Sequence, residues 1–220
     1  MYRGSIMLQE CYELKNEILK IADPELELHI EESCILPSFS VPNQIEGVFI
    51  KKEVHGIFRH IYHEYNRLFH GEYQQYDETN SLFSSTFYSH GEMHGPSLFF
   101  TKDGTCLAKS WFYHGALQGK AYKYYINGKI YSIQRYKNGV MEGKQEFFYE
   151  NGSVKTLLHY TRGYLDGLAV LFWKNGIKKR EATFIHGSKQ GSEQIWDENG
   201  RVIESGEYEM GKKVSLSKRP

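Results

Sequence analysis

Four histidines, His70, His90, His94 and His114, form two pairs spaced 24 residues apart, His70 with His94 and His90 with His114. Imidazoles gathered at one edge of a fold would offer nitrogen ligands to a zinc-type ion. Metal motifs such as HExxH or paired CxxC hold ligands close in the chain, and neither occurs here. The expectation is therefore loop histidines facing water and no metal. Cys106 stands where other copies of the same pattern carry Ile130 and Val154, which makes it a core cysteine, not a nucleophile. Glu142 and Asp166 share a recurring place with His94, Gln118 and Gln190. A place so chemically mixed is not an acid/base pair. The G-x-x-x-G segments lead into no helix, so they cradle no phosphate. No catalytic, cofactor-binding or metal residue is assigned, no cofactor is expected, and the chain reads as a non-enzyme.

The spacing belongs to a repeat. Gly91, Gly115, Gly139, Gly163, Gly187 and Gly211 follow one another every 24 residues, as do Gly95, Gly119, Gly143, Gly167 and Gly191. A third series is Gly104, Gly128, Gly152, Gly176 and Gly200, each preceded by Asp or Asn. Three residues before the first glycine stand Tyr88, Phe112, Tyr136, Tyr160, Phe184 and Tyr208. Five residues after the second come Phe100, Tyr124, Phe148, Phe172 and Trp196. The register runs upstream through Gly71, Tyr76 and Asn80 to Gly56 and Gly47, while Arg67 and Glu64 break it. Residues 40–211 thus read as seven 24-residue repeats, the first two degenerate, as end repeats facing water tend to be. Residues 1–39 read as an N-terminal helix plus short strand serving as a cap, and 212–220 as a basic C-terminal tail.

Asp-Gly and Asn-Gly are strong hairpin signals, because both residues tolerate positive φ. Each unit then holds two strands, and the chain an antiparallel meander of about 14. Positions are counted from the first glycine of a copy as zero. A three-residue turn with the third glycine as a bulge pairs position 9 with 15. It places both, with the aromatic at 21, on one face as a single ladder of rings. The other face would carry Trp111, Tyr125, Tyr131, Phe147, Tyr149, Leu171 and Trp173, candidates for contact with a partner, alongside Phe99, Ile133 and Leu157. The flank offers a cover of its own. Residues 5–22 put Met7, Leu8, Cys11, Leu14, Ile18 and Ile21 on one helical stripe ended by Asp23-Pro24, and Leu26, Leu28 and Ile30 then alternate as a strand. Either this segment or a partner covers the apolar face.

With 27 basic and 27 acidic residues the chain has no net charge, and it lacks the basic stripe a nucleic-acid reader needs. Aromatics at 15% favour strands over disorder. Three unpatterned cysteines suit a reducing compartment. No apolar run long enough to span a bilayer and no signal-peptide core occur, so the expected location is cytoplasmic. The oligomeric state stays open.

The pattern F/Y-x-x-G-x-M/L-x-G-x4-F/Y/W-x-x-D/N-G resembles the MORN-repeat family, strongly over residues 88–211. More narrowly it is similar to the bacterial MORN variant of YwqK-type antitoxins. The resemblance implies an all-β repeat fold, an elongated antiparallel sheet of MORN-type hairpins that serves as a scaffold or binding surface. Two function classes follow. One is a scaffold or antitoxin-like inhibitor that binds another protein through one face of the sheet. The other is a membrane-peripheral module that meets anionic phospholipids through Lys178, Lys179, Arg180, Lys212, Lys213, Lys218 and Arg219.

Overall fold

A computed structural model of the chain describes residues 48–217, and over them the backbone is strand and turn with no helix. The N-terminal helix and strand expected within residues 1–39 lie outside the described residues. Two compact units divide the rest, 48–128 with 137–139 and 129–136 with 140–217. Unit 1 contains β1 (Val48–His55), β2 (Phe58–Tyr65), β3 (Leu68–Tyr76), β4 (Leu82–Ser89), β5 (Glu92–Phe100), β6 (Cys106–Tyr113), β7 (Ala116–Leu117) and β8 (Gly119–Tyr124). Unit 2 contains most of β9 (Ile130–Lys137), then β10 (Val140–Met141), β11 (Gly143–Phe148), β12 (Val154–Thr161), β13 (Tyr164–Leu165) and β14 (Gly167–Phe172). It continues with β15 (Lys178–Ile185), β16 (Ser188–Trp196), β17 (Val202–Glu209) and β18 (Lys212–Ser217). Pairing is antiparallel throughout both units. The expected basic tail thus begins as a strand, because Lys212–Ser217 finds backbone partners along β17.

The third-glycine corner is the bulged turn. Gly104 N–H donates to Thr101 O at 3.0 Å and Thr101 N–H to Thr105 O at 2.9 Å, closing a three-residue loop whose glycine has φ +88°. The same two bonds recur at Tyr149–Ser153 and Trp173–Ile177. Asn80 makes them in the degenerate copy, at φ 66°. Positions 9 and 15 pair as expected: Phe100 with Cys106, Phe148 with Val154, Trp196 with Val202. The earliest hairpin differs. β1 and β2 run in unbroken register from Val48↔Tyr65 to His55↔Phe58, so only Gly56 and Ile57 form its loop.

The single ladder does not form. Next to the Phe100↔Cys106 pair stands Phe99↔Ala108, so Leu107 has no cross-strand partner and the register slips by one. The slip recurs between Phe147 and Phe148, and between Ile195 and Trp196. Because side chains alternate, one extra residue moves every later position to the other face. Position 21 therefore shares a face with positions 2, 6 and 19, while position 9 shares the opposite face with 7 and 18. Ring contacts agree with this division. Phe69, Tyr73, Tyr62 and Tyr88 cluster at centroid distances of 5.0 to 6.0 Å. On the other face Tyr122 stacks on Tyr124 at 6.3 Å, with the Lys109 ammonium over both rings. The recurring aromatics make two rows, one per face.

The first-glycine corner has two residues of positive φ, such as His90 (49°) with Gly91 (87°) and Asn138 (51°) with Gly139 (79°). That is the type I′ hairpin geometry, whose twist matches the strands. In the degenerate copy Asn66 (49°) and Arg67 (63°) adopt it with no glycine, a left-handed conformation that costs a residue such as Arg about 1 kcal/mol.

Candidate interaction surface

At the mixed recurring place, position 3, four of the side chains accept a backbone hydrogen bond from the next corner. Gln118 Oε1 accepts Asn138 N–H at 2.7 Å, Glu142 Oε2 accepts Arg162 N–H at 2.6 Å, and Gln190 Oε1 accepts Met210 N–H at 3.0 Å. His70 does so with Nδ1, from His90 N–H at 3.3 Å. Asp166 instead meets the side chain of the corner residue, His186, at 3.5 Å. Backbone bonds reinforce the seam, as in Gly115 N–H to Met93 O and Gly163 N–H to Met141 O. These side chains staple successive hairpins.

The histidines do not face water as a group. His60, His70 and His94 are buried, and rings pair His55 with His60 at 5.2 Å, His70 with His90 at 4.7 Å and His94 with His114 at 4.9 Å. Position 3 tilts its side chain against the neighbouring corner, which is what buries it. Burial, then the nearby His90 and His63, holds the His70 imidazole below the usual histidine range. Burial and His55 do the same to His60 against the pull of Glu53. Among the described residues no three histidine, cysteine or acidic side chains stand close enough to hold a metal.

The seven candidate contact residues do not share one face, because of the one-residue slip. Trp111 packs inward on the face of positions 5, 7 and 9 and is 2% exposed, too buried to touch a partner. Phe147 and Leu171, at position 8, lie on the opposite face, half-buried. Tyr125, Tyr149 and Trp173 open the three-residue turns. Two of these reach across to the next hairpin: Tyr149 Oη–H donates to Phe172 O at 2.8 Å, and Trp173 Nε1–H to Trp196 O at 3.0 Å. Asn151 and Asn175 bridge in parallel, to the carbonyls of Lys174 and Glu198. Tyr149 and Trp173 are thus clasps between repeats, each beneath a lysine, Lys155 at 5.6 Å and Lys179 at 4.1 Å.

Tyr131 and Phe147 do come together, ring centroids 6.2 Å apart, with Tyr131 37% exposed. The same pair of repeat positions in unit 1 is Phe83 and Phe99, 6.3 Å apart and 41% and 40% exposed. Phe58 extends that row, 5.6 Å from Phe83. Sequence reasoning named Phe99 but missed Phe83. Its only signal was an aromatic at the slipped position, which became meaningful once the slip was seen. Leu68 and Phe69 are exposed as well.

The basic cluster is matched by acids. Lys178 pairs with Glu181, and Arg180 Nε reaches Glu193 at 2.6 Å, as does Lys189. Lys213 meets Glu204 at 2.8 Å. Burial pushes the Glu193 carboxyl up, but hydrogen bonds from Lys189, Tyr208 and Arg180 outweigh it and hold it below the usual carboxylate range. Lys218 and Arg219 lie outside the described residues. Among the described residues no helix is long and apolar enough to cross a membrane.

No curated protein matches the chain. The family model of the MORN repeat variant matches residues 117–138 and 141–161, two adjacent copies of the hairpin just described.

Proposed function

We propose that this chain is a non-catalytic repeat module that binds another protein through the rings its register leaves exposed, with antitoxin-like inhibition as the form that binding takes. The observation that carries the reading is the recurrence of one ring pair in both units, Phe83 with Phe99, both exposed, and Tyr131 with Phe147, of which Tyr131 is exposed and Phe147 half-buried. Solvated aromatics on a sheet of paired strands are pre-organised anchors, and such anchors dominate binding energy at protein interfaces. The match to MORN-type repeats supports a binding surface and is silent on the partner. The lipid alternative is weakened by the acids that neutralise Lys178, Arg180 and Lys213.

The test is crosslinking capture from the source cell, repeated with Phe83→Ser/Phe99→Ser and Tyr131→Ser/Phe147→Ser chains whose strand content is first checked by circular dichroism. Loss of one specific captured protein with either double variant, and restored growth when that protein is co-expressed with the wild-type chain, supports the proposal. Capture unchanged by both variants, or salt-sensitive sedimentation with anionic vesicles in its place, overturns it.

A further inference from the structure

Among the described residues seven histidines, His55, His60, His63, His70, His90, His94 and His114, fall in unit 1, against His159 and His186 in unit 2. Histidine is the side chain whose charge changes most readily between pH 5 and 8. Here three are buried; two of those, His70 and His94, sit at position 3, where His70 accepts the corner N–H as glutamine does elsewhere.

We propose that unit 1 is a proton-sensitive half of the protein, in which protonation of His70, with His60 and His94, releases the hairpin corners across residues 58–114 while unit 2 stays closed. His70 Nδ1 can accept the His90 N–H only while it carries no proton. Once charged it loses that bond and confronts the His90 ring at 4.7 Å. The groups around it offer little relief: Tyr65 and His63 from β2, His90 from the corner, and Glu72 on its own strand, whose carboxylate already accepts from Ser85 and Gln74. His60 faces His55 and Glu53 from β1, with its Nδ1 held by Tyr73 Oη from β3 at 2.8 Å and Tyr62 beside it on β2. Glu53 favours the charged form, but burial prevails. His94 faces Tyr113 and His114 from the β6–β7 corner, and His114 Nδ1 lies 3.0 Å from Glu92 at the start of the same strand as His94.

The sign follows from the depressed folded-state affinity for protons. Below about pH 6.5 the unfolded chain binds more protons than the folded one, so stability present at neutral pH is lost as pH falls through that range.

The repeat supplies its own control, since Gln118 and Gln190 do the same stapling without titrating. Amide hydrogen exchange on the full chain is compared at pH 7.5 and 5.5, corrected for intrinsic rates. The wild type is expected to lose about tenfold protection or more across 58–114 with little change in unit 2, and His70→Gln/His94→Gln to retain most of it. No acid loss, equal loss in both units, or the same loss in the variant overturns the proposal. Should the variant not fold, imidazole titration of the wild type by NMR decides: His70 ionising well below 6.5 supports the proposal, and at or above 6.5 overturns it.

Discussion

Unit 1 and unit 2 hang the same hairpin on the same corners but fill the space between with different chemistry. In unit 1 the interior is rings and hydroxyls: Tyr62, Tyr73 and Tyr88 cluster, Thr86 Oγ1 meets Ser97 Oγ at 2.8 Å, and imidazoles close the seam. In unit 2 the equivalent places hold charges and amides. Arg135 donates to Glu146 at 2.9 Å and to Lys144 O at 2.6 Å, and Glu193 is gripped by Arg180 and Lys189. Gln145, fully buried, accepts Arg135 N–H at 2.9 Å and donates back to Arg135 O at 3.1 Å, so its amide imitates a strand partner for the Arg135 N–H, while the carbonyl also accepts Glu142 N–H at 3.0 Å. The repeat dictates where a donor or acceptor must sit and leaves its chemical identity free. What differs is the pH at which each solution fails.

Glu146→Ala should break the contrast most sharply. It strands the buried Arg135 guanidinium and is expected to lower unit 2 stability by about 3 kcal/mol in urea melts, the lower end for a broken buried pair. A loss under about 1 kcal/mol would mean that the Lys144 carbonyl alone suffices for Arg135. Gln145→Ala, which leaves the Arg135 N–H buried and unpaired while its carbonyl keeps the Glu142 N–H, should cost about 2 kcal/mol by the same measurement. Trp173→Phe removes a single clasp to Trp196 O and should cost about 1 kcal/mol while leaving the strand spectrum unchanged.

The smallest expected effect is none. Burial raises the Glu146 carboxyl, but hydrogen bonds from Lys144 and Arg135 outweigh it and hold it low, as the partners of Glu193 do there. A depressed carboxylate stabilises above its unfolded value of about 4.5 and stops doing so as pH falls through the folded one. Unit 2 should therefore show the same amide protection at pH 5.5 as at 7.5. An acid loss there would erase the distinction between the units.

Much of this was legible in the chain. The Asp-Gly and Asn-Gly corners, the pairing of Phe100 with Cys106 and the role of Asn80 as a glycine substitute follow from which residues tolerate positive φ. The slip beside Leu107 was not, because its equivalents Phe83, Tyr131, Lys155 and Ile203 share no chemical signature. Missing it merged two rows of rings into one and put Trp111 on a surface it does not reach. The stapling place was equally opaque: His70, Gln118 and Glu142 are alike only in offering a lone pair at the same reach.

The amino-acid order alone determined the period, the corners and the antiparallel pairing, since these depend on local backbone preference repeated at fixed intervals. Only the tertiary structure decided which side each ring takes, which histidines are buried and which lysines are already matched. Those outcomes depend on a one-residue offset between strands and on neighbours some 20 residues away in the chain, which no local preference encodes.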